Sequence, residues 1–351
     1  SIQKVSKIVL RVDGHRNTGM GHVSRMIVLG RHLKKLDDVD IVFVTKNAQP
    51  TIDLISKHGF QLHVLEFNLS VEQELIELGG ILILEEPHVI IIDVLGLSDD
   101  NHYLNGVKDI SDAVVISFTD THGEMPELSA DIVINSSILQ FGGRISSDQQ
   151  YYLGLDYCLL SPEYANVYLL GNRLNTVKRV MVCMGGVDHN NLTLKILKGL
   201  DASLNTFEFD VILSSSYTDK RKLSEITKSM SHAVRVHYDV DGIYGILCNV
   251  DFAVTAGGNA HSERICAGVP GLVISQEAHQ YGSAMEYERY GATINLGIHS
   301  QLNEDELLRS FNTLFESSRL QNHMVKCGRA LVDGLGLQRI SDIIMGKNKS
   351  Y

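Results

Sequence analysis

An α/β fold of two doubly wound domains, with parallel sheets facing a cleft, is predicted by three observations. Short apolar runs alternate with helical patterns along the chain, glycine turns follow strands in both halves, and 351 residues at 44% hydrophobic suffice for two cores. In the first half, residues 8–12 read as a strand, and Val23, Met26, Ile27, Leu29, Gly30 and Leu33 then recur at helical spacing. A strand at 41–45, a helix near 51–58, a strand at 62–65 and a helix from Val71 follow, then strands at 89–93, 114–119 and 132–135. The pattern loosens through Ser161-Pro162 and Gly171-Asn172-Arg173-Leu174-Asn175. This places a junction between a domain spanning 1–165 and a second spanning 176–351, whose last helix is expected to pack back on the first. The second half restarts with strands at 179–184, 207–213, 234–237, 252–255 and 271–274, then helices.

Composition narrows the function. A net charge of −11 and the absence of a long basic run argue against a polynucleotide partner, and Lys220-Arg221-Lys222 reads as a solvated surface cluster. Cys158, Cys183, Cys248, Cys266 and Cys327 are scattered without a CxxC pair, so neither a disulfide framework nor a zinc knuckle is expected and a cytoplasmic setting fits. No apolar run approaches the roughly 20 residues of a membrane helix; residues 81–94 are interrupted by Glu85, Glu86 and His88. No stable membrane insertion is expected, no signal segment is visible, and no oligomer is specified. Fifteen histidines make no HxH or HExxH pair on an expected element, so no metal and no cofactor is implied.

The segment from Asp13 through Gly19-Met20-Gly21-His22 to Arg25 joins the first strand to the first helix and so lies at the carboxyl edge of a parallel sheet, where open α/β sheets bind ligands. Free N–H groups at a helix start favour a phosphate or a developing anion, and they discourage protonation of His22, which suits a general base. Further glycine turns follow strands at Gly185-Gly186 and Gly257-Gly258, which suits a phosphorylated ligand held between the domains. A dinucleotide dehydrogenase fits poorly. Gly19, Gly21 and Ser24 lack the third glycine, and the second strand ends in Lys46-Asn47 where a ribose-binding acid would stand.

Assembled, these residues resemble the UDP-sugar hydrolases of the pseudaminic acid pathway and the spore-coat polysaccharide biosynthesis proteins grouped with them, in the GT-B superfamily. The matching stretches are Arg11-Val12-Asp13, Gly19 to Arg25, Ile92-Asp93, Phe118-Thr119-Asp120, Ile132 to Asn135, Tyr152 to Tyr157, Cys183-Met184-Gly185-Gly186-Val187-Asp188, and Thr255-Ala256-Gly257-Gly258-Asn259 with Glu263. The resemblance implies a GT-B-like pair of Rossmann-like domains and an inverting hydrolysis of a UDP-sugar. His22 would activate water, and UDP would leave. It implies that Glu263 holds the nucleotide ribose as a binding residue. The turn Gly257-Gly258-Asn259 is the candidate diphosphate contact. The chain departs from the hydrolase pattern at Val94-Leu95-Gly96, where a histidine and a tyrosine follow the aspartate, and at Gly14-His15-Arg16, where a serine-rich loop stands. Both lie on the presumed sugar side.

Other residues stay open between readings. Asp13 is either a turn-forming carboxylate or a catalytic residue of the site. Asp93 and Asp120 orient His22, bind sugar hydroxyls together with Arg25, or are solvated strand ends. Asp99-Asp100 reads as a cap for the helix near His102. Gln276, Glu277, His279 and Gln280 hold the sugar or cap a helix, and His261 has no assigned role. The rival functions are a glycosyltransferase using the same base on an acceptor hydroxyl, and a non-catalytic nucleotide-sugar binder. A transferase with a lipid-linked acceptor would want a basic or apolar patch on the first domain, and the sequence shows no obvious one.

Overall fold

The structure, a computed structural model, describes residues 4–14, 19–36, 38–123, 127–140, 142, 149–169 and 176–347. His15 and Arg16, and the junction segment 171–175, lie outside the described residues. The chain divides into two compact units, one of residues up to Pro162 with those from Leu335 onward, the other Glu163–Gly334.

The first unit runs β1 (Lys7–Val12), α1 (Gly21–Leu36), β2 (Asp40–Lys46), α2 (Gln49–Lys57), β3 (Gln61–Leu65), α3 (Val71–Glu85), β4 (Val89–Asp93), α4 (Asn101–Ile110), β5 (Val114–Phe118), β6 (Ile132–Asn135) and β7 (Gln150–Leu153). Its seven strands are parallel in the order β3-β2-β1-β4-β5-β6-β7. Strand order reverses between β1 and β4, the switch point at which doubly wound sheets open a ligand crevice. Alternation along β1 sends Ile8, Leu10 and Val12 into one core and Val9 into the other, so both faces of the sheet are covered. Asp100 caps α4 by accepting from the N–H groups of His102 and Tyr103.

The second unit runs β8 (Lys178–Cys183), α5 (Leu192–Asp201), β9 (Phe207–Leu213), α6 (Lys220–Ser229), β10 (Val234–Tyr238), α7 (Tyr244–Leu247), β11 (Phe252–Thr255), α8 (Asn259–Cys266), β12 (Gly271–Ser275), α9 (Ala278–Arg289), β13 (Ile294–Ile298), α10 (Glu304–Glu316) and α11 (Ser318–Leu331). Its sheet is parallel in the order β10-β9-β8-β11-β12-β13. The last helix, α12 (Gly336–Ile344), belongs to the first unit, where Leu337, Ile340 and Ile344 join the core containing Val23, Met26 and Leu33.

Two strands were not expected. β7, in the sequence Gln-Tyr-Tyr-Leu, and β13, in Ile-Asn-Leu-Gly-Ile, are edge strands with few fully buried side chains, and neither makes a continuous apolar run. The first unit also carries an apolar patch that the sequence reading did not anticipate: on α3, Ile76, Ile83 and Leu84 are each at least 70% exposed. Among the described residues no helix is long and apolar enough to cross a membrane.

Candidate active site

The segment after β1 carries the expected turn: Gly19 has φ +83°, a conformation L side chains rarely adopt, and the helix starts two residues later. Ser24 N–H bonds back to Met20 O at 2.9 Å, which starts α1 with Gly21 and His22 in its first turn. Arg25 follows His22 by three residues and so lies on the same helix face.

That face meets Asp93 at the end of β4. His22 Nδ1 lies 2.7 Å from Asp93 Oδ1, so Nδ1–H donates to the carboxylate and Nε2 is left for chemistry. Arg25 grips the same buried carboxylate with two bonds, Nε to Oδ2 at 2.6 Å and Nη2 to Oδ1 at 2.5 Å. It also reaches Asp120, Nη1 to Oδ1 at 3.1 Å. Asp120 Oδ2 stands 3.7 Å from His22 Nε2. The loops behind are pinned. Ser98 Oγ accepts from Val94 N–H and donates to Ile92 O, while Thr121 Oγ1 donates to Asp99 and Asn135 Nδ2 donates to Thr121 O. His22, Arg25, Asp93 and Asp120 therefore form one cluster at the switch point.

The electrostatics correct one expectation. The helix start was expected to keep His22 neutral, yet its pKa is raised. Burial works against the imidazolium, but the hydrogen bond and negative charge of Asp93 outweigh both burial and the repulsion of Arg25. Asp93 is held below the usual carboxylate range: burial opposes ionisation, and the Arg25 guanidinium overcomes it. A base that must be neutral to work loses activity as pH falls through its pKa, so the acidic limb of kcat/KM is expected above the ordinary histidine value of about 6.5. Asp93→Asn is expected to move that limb down by about one pH unit or more. A pH–rate profile checks this, and an unmoved limb would detach Asp93 from the proton transfer.

Asp13, read from sequence as a turn former or a catalytic residue, is engaged by neighbours other than His22. Its carboxylate meets Arg11, at 2.5 and 2.9 Å, the Lys46 N–H at 2.9 Å and Thr45 Oγ1 at 3.3 Å. Its pKa is lowered, because the Arg11 charge overcomes the cost of burial. Arg11, fully buried, also binds Glu74 of α3 through Nη2 at 2.7 Å, and Tyr103 of α4 donates to Glu74. Sequence reasoning missed Glu74 and Tyr103 and gave Arg11 no role. The available signal was one arginine inside an otherwise apolar strand, which must find a buried counter-ion.

Asp13, Glu74, Lys46 and His22 line a cavity of about 530 Å³ in the first unit, walled by Phe67, Leu69, Val71, Val94, Leu95 and Leu97. The residues that depart from the hydrolase pattern, Val94-Leu95-Gly96, thus form one wall.

In the second unit the glycine turns also sit where strands end. Gly185 has φ +91°, and the Gly186 carbonyl accepts from Ser214 N–H at 2.9 Å. Asp188 accepts from the N–H groups of Leu192 and Thr193 at the start of α5. Gly258 is the N-cap of α8, which begins at Asn259, and a Cβ on Gly257 would come within 2.9 Å of Gln280 Cβ. Gln280 Oε1 accepts from Gln276 N–H at 3.0 Å, and Gln276 Nε2 donates to Met184 O and Asp188, so this pair ties the two glycine loops together. The Glu277 side chain makes no cap bond to α9. Glu263 accepts from Tyr164 Oη at 2.5 Å. His261 is buried and kept neutral by burial and by Arg264, which donates to its Nδ1 at 3.2 Å; His279 is exposed. Among the described residues no three His, Cys, Asp or Glu side chains gather as a metal set.

No family model matches the chain. It is 27% identical to the spore coat polysaccharide biosynthesis protein SpsG of Bacillus subtilis over 340 residues, 95% of this chain and 96% of that one. It is 25% identical to the UDP-2,4-diacetamido-2,4,6-trideoxy-beta-L-altropyranose hydrolase of Campylobacter jejuni over 243 residues, 68% of this chain and 80% of that one. An uncharacterized protein of Methanocaldococcus jannaschii is 26% identical over 284 residues, 78% of this chain, and the match spans 56% of that longer protein. Among solved structures, MurG of Acinetobacter baumannii superposes with a TM-score of 0.75 at 11% identity, covering 97% of this chain and 99% of that one. A spinosyn rhamnosyltransferase complexed with thymidine diphosphate gives 0.63 at 13% identity, covering 95% and 99%. The chain thus has the GT-B fold and resembles in sequence both a polysaccharide biosynthesis protein and a UDP-sugar hydrolase.

Proposed function

We propose that this protein is a UDP-sugar hydrolase that releases a 2,4-diacetamido-2,4,6-trideoxyhexose and UDP, acting in the cytoplasm in nonulosonic (pseudaminic) acid synthesis. The observation that carries the reading is the His22–Asp93 pair, 2.7 Å apart, which leaves Nε2 as the proton acceptor at a strand-order switch point. In the proposed step, water attacks the anomeric carbon as the bond to the β-phosphate oxygen breaks. Its proton passes to His22 Nε2, and UDP leaves with the electron pair. Arg25 holds Asp93, and Asp120, 3.7 Å from Nε2, orients the water or a sugar hydroxyl. The glycine turns at Gly185-Gly186 and Gly257-Gly258-Asn259 would supply N–H groups to the diphosphate, and Gln280 would set the second turn. The apolar wall of Phe67, Leu69 and Leu95 suits a deoxy methyl and acyl methyl groups, and Asp13 and Lys46 beside it suit amide hydrogen-bonding groups.

Incubation with UDP-linked diacetamido-trideoxy sugars in oxygen-18 water, without an acceptor, tests the reading. Free sugar carrying the heavy oxygen is expected to appear with UDP. If the donors bind yet persist until a hydroxyl acceptor is supplied, the protein is instead an inverting transferase in which His22 deprotonates that acceptor. One observation favours this second reading: the exposed Ile76, Ile83 and Leu84 on α3 provide the apolar patch that an enzyme with a lipid-linked acceptor would use.

A further inference from the structure

Glu263 of α8 is half-buried, and its carboxyl is held from one side. Tyr164 Oη donates to Oε2 at 2.5 Å, while Oε1 receives no hydrogen bond from the described residues. Tyr164 is 1% exposed and firmly seated in the second unit. Its ring packs edge-on against Tyr244 with centroids 5.0 Å apart, and its backbone carbonyl accepts from the Cys266 thiol. A hydroxyl on so rigid a ring fixes the rotation of the carboxyl it binds.

We propose that Tyr164 is a positioning residue for nucleotide recognition, locking Glu263 so that Oε1 faces the vicinal hydroxyls of a ribose. This rests on the reading of the second unit as the UDP-binding part of the protein. A ribose diol presents O–H donors that an ionised carboxylate accepts better than a protonated acid, which has lost acceptor capacity to its own proton. Glu263 is pushed up to about 7, mainly by burial and also by the negative charge of Glu163, while the Tyr164 hydrogen bond pulls it the other way. The Cys183 thiol, which feels the Glu263 charge, itself stays protonated, its pKa pushed up to about 11 by burial. Tyr164 therefore keeps Glu263 an acceptor near neutral pH and also aims it.

The intact protein would be titrated calorimetrically with UDP and with 2′-deoxy-UDP between about pH 6 and pH 8.5, a range spanning the Glu263 transition. The ratio of the two affinities cancels the ionisation of the phosphates. The wild type is expected to prefer UDP, increasingly as pH passes 7 and Glu263 ionises. Tyr164→Phe is expected to cut that preference about tenfold at pH 7, to move its rise to higher pH, and to weaken 2′-deoxy-UDP, which keeps only the 3′-hydroxyl, less than UDP. Glu263→Gln is expected to lose the pH dependence. A misfolded variant would weaken both nucleotides alike, and the wild-type profile then decides, because a ratio flat across pH 7 overturns the proposal. Tyr164→Phe with an unchanged ratio and profile, beside a Glu263→Gln that loses the preference, overturns the positioning role alone. A wild type that binds neither nucleotide overturns the UDP reading with it.

Discussion

His22→Ala is expected to lower the rate of UDP release by about 10²- to 10⁴-fold, the usual contribution of a positioned general base. The imidazole is oriented by a buried carboxylate, and His22 lines the cavity. Truncation removes Nε2 and leaves Arg25 gripping Asp93, so the loop after β4 keeps its anchor. The loss should fall in kcat, with UDP affinity within about twofold of wild type because the proposed nucleotide contacts lie in the second unit. Single-turnover kinetics with a saturating donor separates the two. A variant retaining more than about a tenth of the wild-type rate would remove His22 from the chemistry.

Glu74→Ala is expected to cost about 3–5 kcal/mol of stability, the usual cost of breaking a buried ion pair from one side. Arg11 and Glu74 are 0% and 2% exposed, and Glu74 accepts from both the guanidinium and Tyr103. Removing the carboxylate leaves Arg11 a single counter-ion, Asp13, and leaves a buried tyrosine hydroxyl without its acceptor. The Arg11 charge is not relieved by deprotonation. Burial opposes it, but its anionic neighbours raise its pKa above even the usual guanidinium value. Urea unfolding followed by circular dichroism measures the effect, and Arg11→Met with Glu74→Leu together should recover much of it. A loss below about 1 kcal/mol would mean that water enters and solvates the guanidinium.

Most of the fold could be read from periodicity. Val89–Asp93 is apolar up to its last residue, and Phe252–Thr255 is buried throughout, because helices cover both faces of each sheet. The edge strands Gln150–Leu153 and Ile294–Ile298 could not, since a strand with one neighbour needs no such run. In the site, the strand-to-helix glycine turn pointed to His22, and Asp93 and Asp120 were recognisable as strand-end carboxylates. Which of them touches His22 depends on β4 lying beside β1, a pairing 81 residues apart in the chain that no local pattern encodes. The protonation of His22 was misjudged for the same reason: the helix start is local, whereas the carboxylate that outweighs it is 71 residues away. Arg11, Glu74 and Tyr103 come from three elements, so their network is visible only once β1, α3 and α4 are packed.

Helix α12 returns to the first unit after the whole of the second has been threaded, which has a consequence for synthesis. On the ribosome, β1 emerges well before α12, so the hydrophobic layer against α1 stays open until Leu337, Ile340 and Ile344 have been translated. The second unit, contiguous from 163 to 334, is therefore free to finish folding before the one that precedes it. A fragment ending near residue 162 would expose that unfinished layer and aggregate, whereas a circular permutant that begins at α12 and continues into β1 would allow the first unit to be made alone.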